Sequence, residues 1–181
     1  MRTINLLLFA CAVSLTACTT TSTVSTSGAA LDGGAKWTIL PITNHTDTPQ
    51  AGLAAEAITE HLLRARGVAN LAHYPPTLSR DTLFEPSERR VVDEAQKWAH
   101  DQGIRYGVTG MVEEWRYKVG IDGEPAVGVT LQVINLEDGR VLYSASGAKS
   151  GWSREALSGV ATKLLESLVP RVAAAGTTAA K

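Results

Sequence analysis

The chain of 181 residues is short of most features that announce a chemistry. Its two cysteines, Cys11 and Cys18, both fall at the very start. Everything after position 18 therefore has no thiol to form a disulfide, attack a substrate or hold zinc. The four histidines, His45, His61, His73 and His100, are far apart, and no two have a spacing that would put two ligands on one helical face. There is no Gly-x-Ser-x-Gly elbow and no phosphate-binding glycine loop. A formal net charge of −1 gives no electrostatic case for nucleic acid as a partner. Paired carboxylates for glycoside hydrolysis must flank a cleft from separate elements. Asp122 and Glu124 are instead two apart on one tip, and Glu113 and Glu114 are read onto opposite faces of a strand. His45 and Asp47 in "NHTDTP" read as turn and capping chemistry, with a fragment of a catalytic set as the rival reading. No cofactor and no metal is expected.

What the chain does have begins at its N-terminus. Arg2 precedes an apolar run from Leu6 to Val13, too short to cross a bilayer as a stable helix. The run leads into Leu15-Thr16-Ala17-Cys18. Small residues before a cysteine resemble the lipobox of bacterial lipoproteins, in which the peptide is cut before the cysteine and that cysteine is acylated. On this reading residues 1–17 are a signal peptide and Cys18 is the lipidation site; an ordinary secretory signal cut near Ala17 is the alternative. Several acyl chains anchor stably where one would not. Thr19, rather than Asp, follows the cysteine, which by the same resemblance favours the outer membrane.

Residues 19–35, "TTTSTVSTSGAALDGGA", are almost uncharged and rich in Ser, Thr, Gly and Ala. They read, with Cys18, as a lipidated tether over 18–35; such a flexible segment spans about 23 Å on average. Residues 173–181 read as a frayed tail. Between them, 36–172 form one periplasmic domain. Apolar residues are 44% of the chain, enough for a core. "KWTILPI" is a strand, and Thr48 with Pro49 opens a helix whose inner face is read as Leu53, Ala57, Ile58, Leu62 and Ala65. Gly67 stops that helix. A short strand over 68–74 and a long loop lead to a second helix over 88–102, capped by Ser87, with Val91, Val92, Ala95, Trp98 and Ala99 inward. Three strands follow, at 105–119, 126–136 and 140–148; Val127, Val129, Leu131 and Val133 share one face of the second. A final helix spans 153–169. The order β-α-β-α-β-β-β-α predicts an α+β fold, an α/β sandwich with a largely antiparallel sheet and its helices packed on one face.

Two stretches stand out. "KVGIDGEPAVG" (118–128) is a hairpin tip with one carboxylate more than a turn requires. Asp122 beside Gly123 is ordinary turn chemistry. A lone exposed carboxylate attracts a cation by about 1 kcal/mol or less, so a binding role needs many copies converging within the ~8 Å screening length. "SGAKSGWSREAL" carries Trp152 just before the last helix. Either Ser153 caps that helix and Trp152 staples onto Leu157, or the indole is exposed to a lipid headgroup layer, with Lys149 and Arg154 suited to anionic phosphates.

The stretch 107–161, "GVTGMVEEWRYKVGIDGEPAVGVTLQVINLEDGRVLYSASGAKSGWSREALSGVA", behind a lipobox and "WTILPITNHTDTPQAG", closely resembles the PelC family of outer-membrane lipoproteins. The resemblance covers nearly all of the body and is most specific at "YKVGIDGEPAVG" and "SGAKSGWS". It implies a non-catalytic periplasmic ring, dodecameric in the family, lying beneath the outer membrane. The ring works with the porin PelB in export of the Pel exopolysaccharide, a cationic amino-sugar polymer of the biofilm matrix. It also implies a fold like the periplasmic domains of the curli secretion lipoprotein and TolB. The family's acidic ring position matches Asp122, and its membrane-directed tryptophan matches Trp152. The rival from another class is a regulatory lipoprotein that binds and activates a cell-envelope synthase; mass in solution separates the two.

Overall fold

Four consecutive inward residues of the second hairpin strand, Val127, Val129, Leu131 and Val133, are completely buried. Their alternation turns one face of this strand into the core, and the strand lies inside the sheet with a neighbour on each side. The computed structural model describes residues 19–25, 30–75, 88–120 and 123–173. The strands are β1 (Thr19–Ser25), β2 (Leu31–Asp32), β3 (Lys36–Asn44), β4 (Asn70–His73), β5 (Tyr106–Tyr117), β6 (Pro125–Asn135), β7 (Val141–Ser150) and β8 (Val172–Ala173). The helices are α1 (Ala51–Ala65), α2 (Glu88–Asp101) and α3 (Leu157–Leu168). A six-stranded sheet runs β1-β7-β6-β5-β3-β4, and β2 pairs with β8 separately. The class is α+β, as expected. Hairpins make β5, β6 and β7 antiparallel and β1 pairs antiparallel along the far edge of β7, whereas β3 runs parallel to both β4 and β5 because helices form those crossovers.

The strand order corrects the expectation that all helices share one face. From β3 through α1 the chain steps outward to β4; from β4 through α2 it steps back across β3 to β5. Right-handed crossovers in opposite directions put their helices on opposite faces. Accordingly α1 and α3 bury Ala55, Leu63, Val160, Ala161, Leu164, Leu165 and Leu168 with Trp37, Ile39 and Val108 in the main core. Ala95 and Ala99 of α2 pack with Leu40, Tyr74, Ile104 and Leu136 on the other face. Each fully buried Leu of α3 contributes about 1.5–3 kcal/mol. The Trp37 indole N–H donates to Asp32 O at 2.9 Å, so its burial leaves no polar atom stranded.

Local differences also have causes. Helix α1 begins at Ala51, after Pro49, with Gln50 in a left-handed conformation (φ 61°). Thr48 does not cap it; its hydroxyl donates to the Trp115 carbonyl. The helix is rotated from the expected face, leaving Leu53, Ala57 and Ala65 exposed and burying Glu56 and Thr59. Glu56 can be inside because its carboxylate accepts the Ile42 backbone N–H at 2.8 Å. The α1 stop is as expected: Gly67 takes φ 91°, and Val68 N–H donates back to Leu63 O. The Ser87 cap lies outside the described residues.

The expected tether is also revised. Thr19–Ser25 pairs residue for residue with β7, from Thr19↔Lys149 to Ser25↔Tyr143. Leu31 is buried in the main core, and Leu31 N–H donates to Arg171 O. β7 offers an open edge of backbone donors and acceptors, and Thr and Val suit a strand. At the other end, Ala173 belongs to β8 rather than to the tail.

Candidate functional site

The β5–β6 hairpin closes with Lys118 N–H donating to Glu124 O at 2.7 Å, and Gly123 takes φ 51°, the backbone expected of turn chemistry. Asp122 itself lies outside the described residues, between the two feet of this hairpin. The foot is gripped by the segment leading to α3. Gly151 N–H donates to Pro125 O at 2.8 Å. A Cβ on Gly151 would stand 2.4 Å from Val160 Cγ2 and 2.9 Å from Pro125 Cγ. Only glycine lets the chain pass between helix and hairpin, and this holds the next residue, Trp152, in place.

Trp152 is not a helix staple. The helix starts at Leu157 with Ala156 as its cap, so Ser153 is not the cap and the staple spacing is lost. The indole is 55% exposed. Its backbone is fixed by Glu155: Trp152 N–H donates to Glu155 Oε2 at 3.1 Å, and Glu155 N–H donates to Trp152 O at 3.0 Å. Arg154 takes φ 71° inside this turn. Lys163 donates to Glu155 Oε1. The Lys163 ammonium, then the Trp152 N–H, and more weakly the Lys149 charge, hold the Glu155 carboxyl below the usual carboxylate range. Tyr117 completes the turn, its hydroxyl accepting from Leu157 N–H at 3.1 Å.

Trp152, Tyr117 and Val119 are three of the five exposed large apolar side chains among the described residues, and all lie at this end. Lys149, near the end of β7 and close enough to act on Glu155, and the exposed Arg154 lie within three residues of Trp152 in the chain; Lys118, which sequence reasoning passed over, joins this end by donating to Ser150 Oγ at 2.7 Å. The structure therefore brings the predicted Lys149, Trp152 and Arg154 together with the foot of the Asp122 hairpin. Sequence reasoning missed Tyr117, Gly151 and Glu155; the run "SGW" was the one available sign of a tightly passed backbone before the indole. Cys18 lies outside the described residues, one peptide bond before Thr19.

The catalytic rival fares differently. His45, Thr46, Asp47 and Thr48 line a cleft of about 360 Å³ with Glu113, Glu114, Trp115 and Arg116. A bulge in β5 between Val112 and Glu114 corrects the reading of Glu113 and Glu114 on opposite faces. Both Cβ atoms approach the same point above Gly128, at 3.8 and 3.4 Å. Their carboxylates are occupied: Thr130 Oγ1 donates to Glu113, and Arg116 Nε donates to Glu114 at 3.1 Å. Asn44 Oδ1 accepts from Thr46 N–H and Oγ1, the turn bonds that "NHTDTP" suggests. Among the described residues no group of three His, Cys, Asp or Glu side chains is placed to hold a metal ion, and no helix is long and apolar enough to cross a membrane.

No protein-family model and no curated protein matches this chain. Solved structures do. A PelC dodecamer from Paraburkholderia phytofirmans is 41% identical, covering 83% of this chain and 94% of that one with a TM-score of 0.69. A point variant of that dodecamer is 40% identical, covering 83% and 95%, with a TM-score of 0.68. Lipoprotein GNA1162 from Neisseria meningitidis, at 17% identity, 74% and 94% coverage and a TM-score of 0.56, shares the fold.

Proposed function

Because this chain belongs to the PelC family, we propose that it is an outer-membrane lipoprotein, acylated at Cys18, whose copies form a dodecameric periplasmic ring. The ring guides cationic Pel exopolysaccharide towards a PelB-like porin. The observation that carries this reading is the likeness to a dodecameric PelC over nearly that protein's whole length. Trp152, with Lys149 and Arg154, faces the lipid; Asp122, repeated by symmetry, lines the throat. A single exposed carboxylate contributes about 1 kcal/mol or less. Copies of it around one axis add their fields where spacing falls below the ~8 Å screening length. Weak contacts serve a polymer that must enter and also leave, as in ion conduction. Mutual repulsion of the carboxylates requires that subunit packing elsewhere hold the ring closed.

The role of Asp122 is tested by Asp122→Ala in cells that secrete the polymer. Surface polysaccharide should fall while the ring, sized by light scattering of the lipid-free domain, persists. Unchanged export would remove the guiding role, and a monomer at high concentration would favour the regulatory lipoprotein instead.

A further inference from the structure

The segment after Cys18 reads in sequence as a loose leash, yet in the structure it is a strand. We propose that β1 is a bracket that seats the body directly on the lipid surface, so that the acylated end of the chain and the Tyr117–Val119–Trp152 patch form one membrane-contact face. This rests on the lipoprotein reading of Cys18.

The pairing sets the geometry. β1 runs antiparallel to β7, with Thr19 opposite Lys149. Paired strands lie about 4.8 Å apart, and the Cys18 Cα is about 3.8 Å beyond that of Thr19. The N-terminal end of β1 therefore lies at the end of the sheet where β7 passes into Gly151 and Trp152. A free leash of this length would let the body wander about 23 Å from its anchor. Seven paired residues remove that slack and fix which end faces the lipid.

What is exposed at this end fits a headgroup layer. Trp152 and Tyr117 each offer an amphipathic ring, half exposed, and Val119 is fully exposed. Lys118 and Arg154 are exposed beside them, and Lys149 stands next to Glu155. Amphipathic rings and cations together suit the boundary between acyl chains and phosphates. The covalent anchor and the patch reinforce each other, because holding one at the surface raises the effective concentration of the other.

The test uses the full lipidated protein in vesicles of phosphatidylethanolamine and phosphatidylglycerol with brominated acyl chains. A Thr20→Cys/Ala148→Cys pair, in register across β1 and β7, should close an intrachain disulfide. A Thr20→Cys/Ser146→Cys pair, displaced along β7, should not. Bromine should quench the part of the emission that Trp152→Phe removes. Thr20→Pro with Ser22→Pro, which takes donors that face β7 out of the ladder, should cut that quenching several-fold while the protein still floats with the vesicles. Failure of the in-register pair to close, or quenching untouched by the prolines, overturns the bracket alone. Absence of fatty acid on wild-type Cys18 overturns the lipoprotein reading, and the bracket with it.

Discussion

Two ends of the sheet handle polar side chains in opposite ways. At the β4 edge they are consumed internally. Glu56, 5% exposed, accepts from Ile42 N–H and lies 2.9 Å from His73 Nε2. His73 Nδ1 lies 3.0 Å from Glu60 Oε2, and Arg64 donates to Glu60 Oε1 at 2.8 Å and to Leu71 O at 3.0 Å. This chain of groups ties α1 to β3 and β4. At the hairpin end the ties run through the backbone turn, Glu155, the Tyr117 hydroxyl and Lys118, while Trp152, Val119 and Arg154 are exposed. The difference teaches where to look for work done outside the molecule: charges that have partners inside hold the fold, and a rigid base with outward side chains is left for a partner.

The contrast can be broken most severely at Glu56. Glu56→Ala leaves the buried Ile42 N–H without an acceptor and should cost about 2–3 kcal/mol in urea unfolding of the lipid-free domain. A loss below about 0.5 kcal/mol would mean that the network is ornamental. Gly151→Ala should come next, at about 1–3 kcal/mol, because its Cβ has no room against Val160 and Pro125. A neutral result there would show that the base beneath Trp152 is soft.

The pH dependence is subtler and belongs to the β4 edge. Both ring nitrogens of His73 face carboxylates, Glu56 foremost and Glu60 second, so its pKa is raised above the ordinary 6.5. Its contribution to stability is therefore fully present below pH 6.5 and is lost as pH rises through the folded value. Glu60 is lowered from the ordinary 4.5, first by the Arg64 bond and then by His73. Its contribution is present above 4.5 and is lost as pH falls through the folded value. Stability from this network should peak between those two references, and His73→Gln should flatten the decline on the alkaline side in a urea–pH series. A wild-type curve that rises with pH through this window would contradict the assignment.

The smallest effects on stability are expected at the hairpin end. Trp152→Ala and Asp122→Ala should each leave thermal unfolding of the lipid-free domain within about 0.5 kcal/mol of wild type. Either one unfolding the domain would return that residue to a structural role and sharpen the comparison against the proposal.

Much of this was legible from periodicity and punctuation: the alternation of β6, the inward stripe of α3, the glycine stop of α1 and the hairpin around Asp122. These are local properties, since side-chain direction repeats every two or 3.6 residues whatever the rest of the chain does. The lipobox-like run before Thr19 and the odd stretches around Asp122 and Trp152 were equally readable in one dimension. Only the tertiary structure decided that α2 crosses to the other face, because that depends on β3 lying between β4 and β5. It alone put Glu56 inside, where a backbone donor fourteen residues earlier makes a carboxylate welcome, and turned Glu113 and Glu114 the same way through a bulge. It alone paired β1 with β7: a polar, weakly patterned segment carries no signal of its own, and its order is supplied by the free edge of a strand more than a hundred residues away.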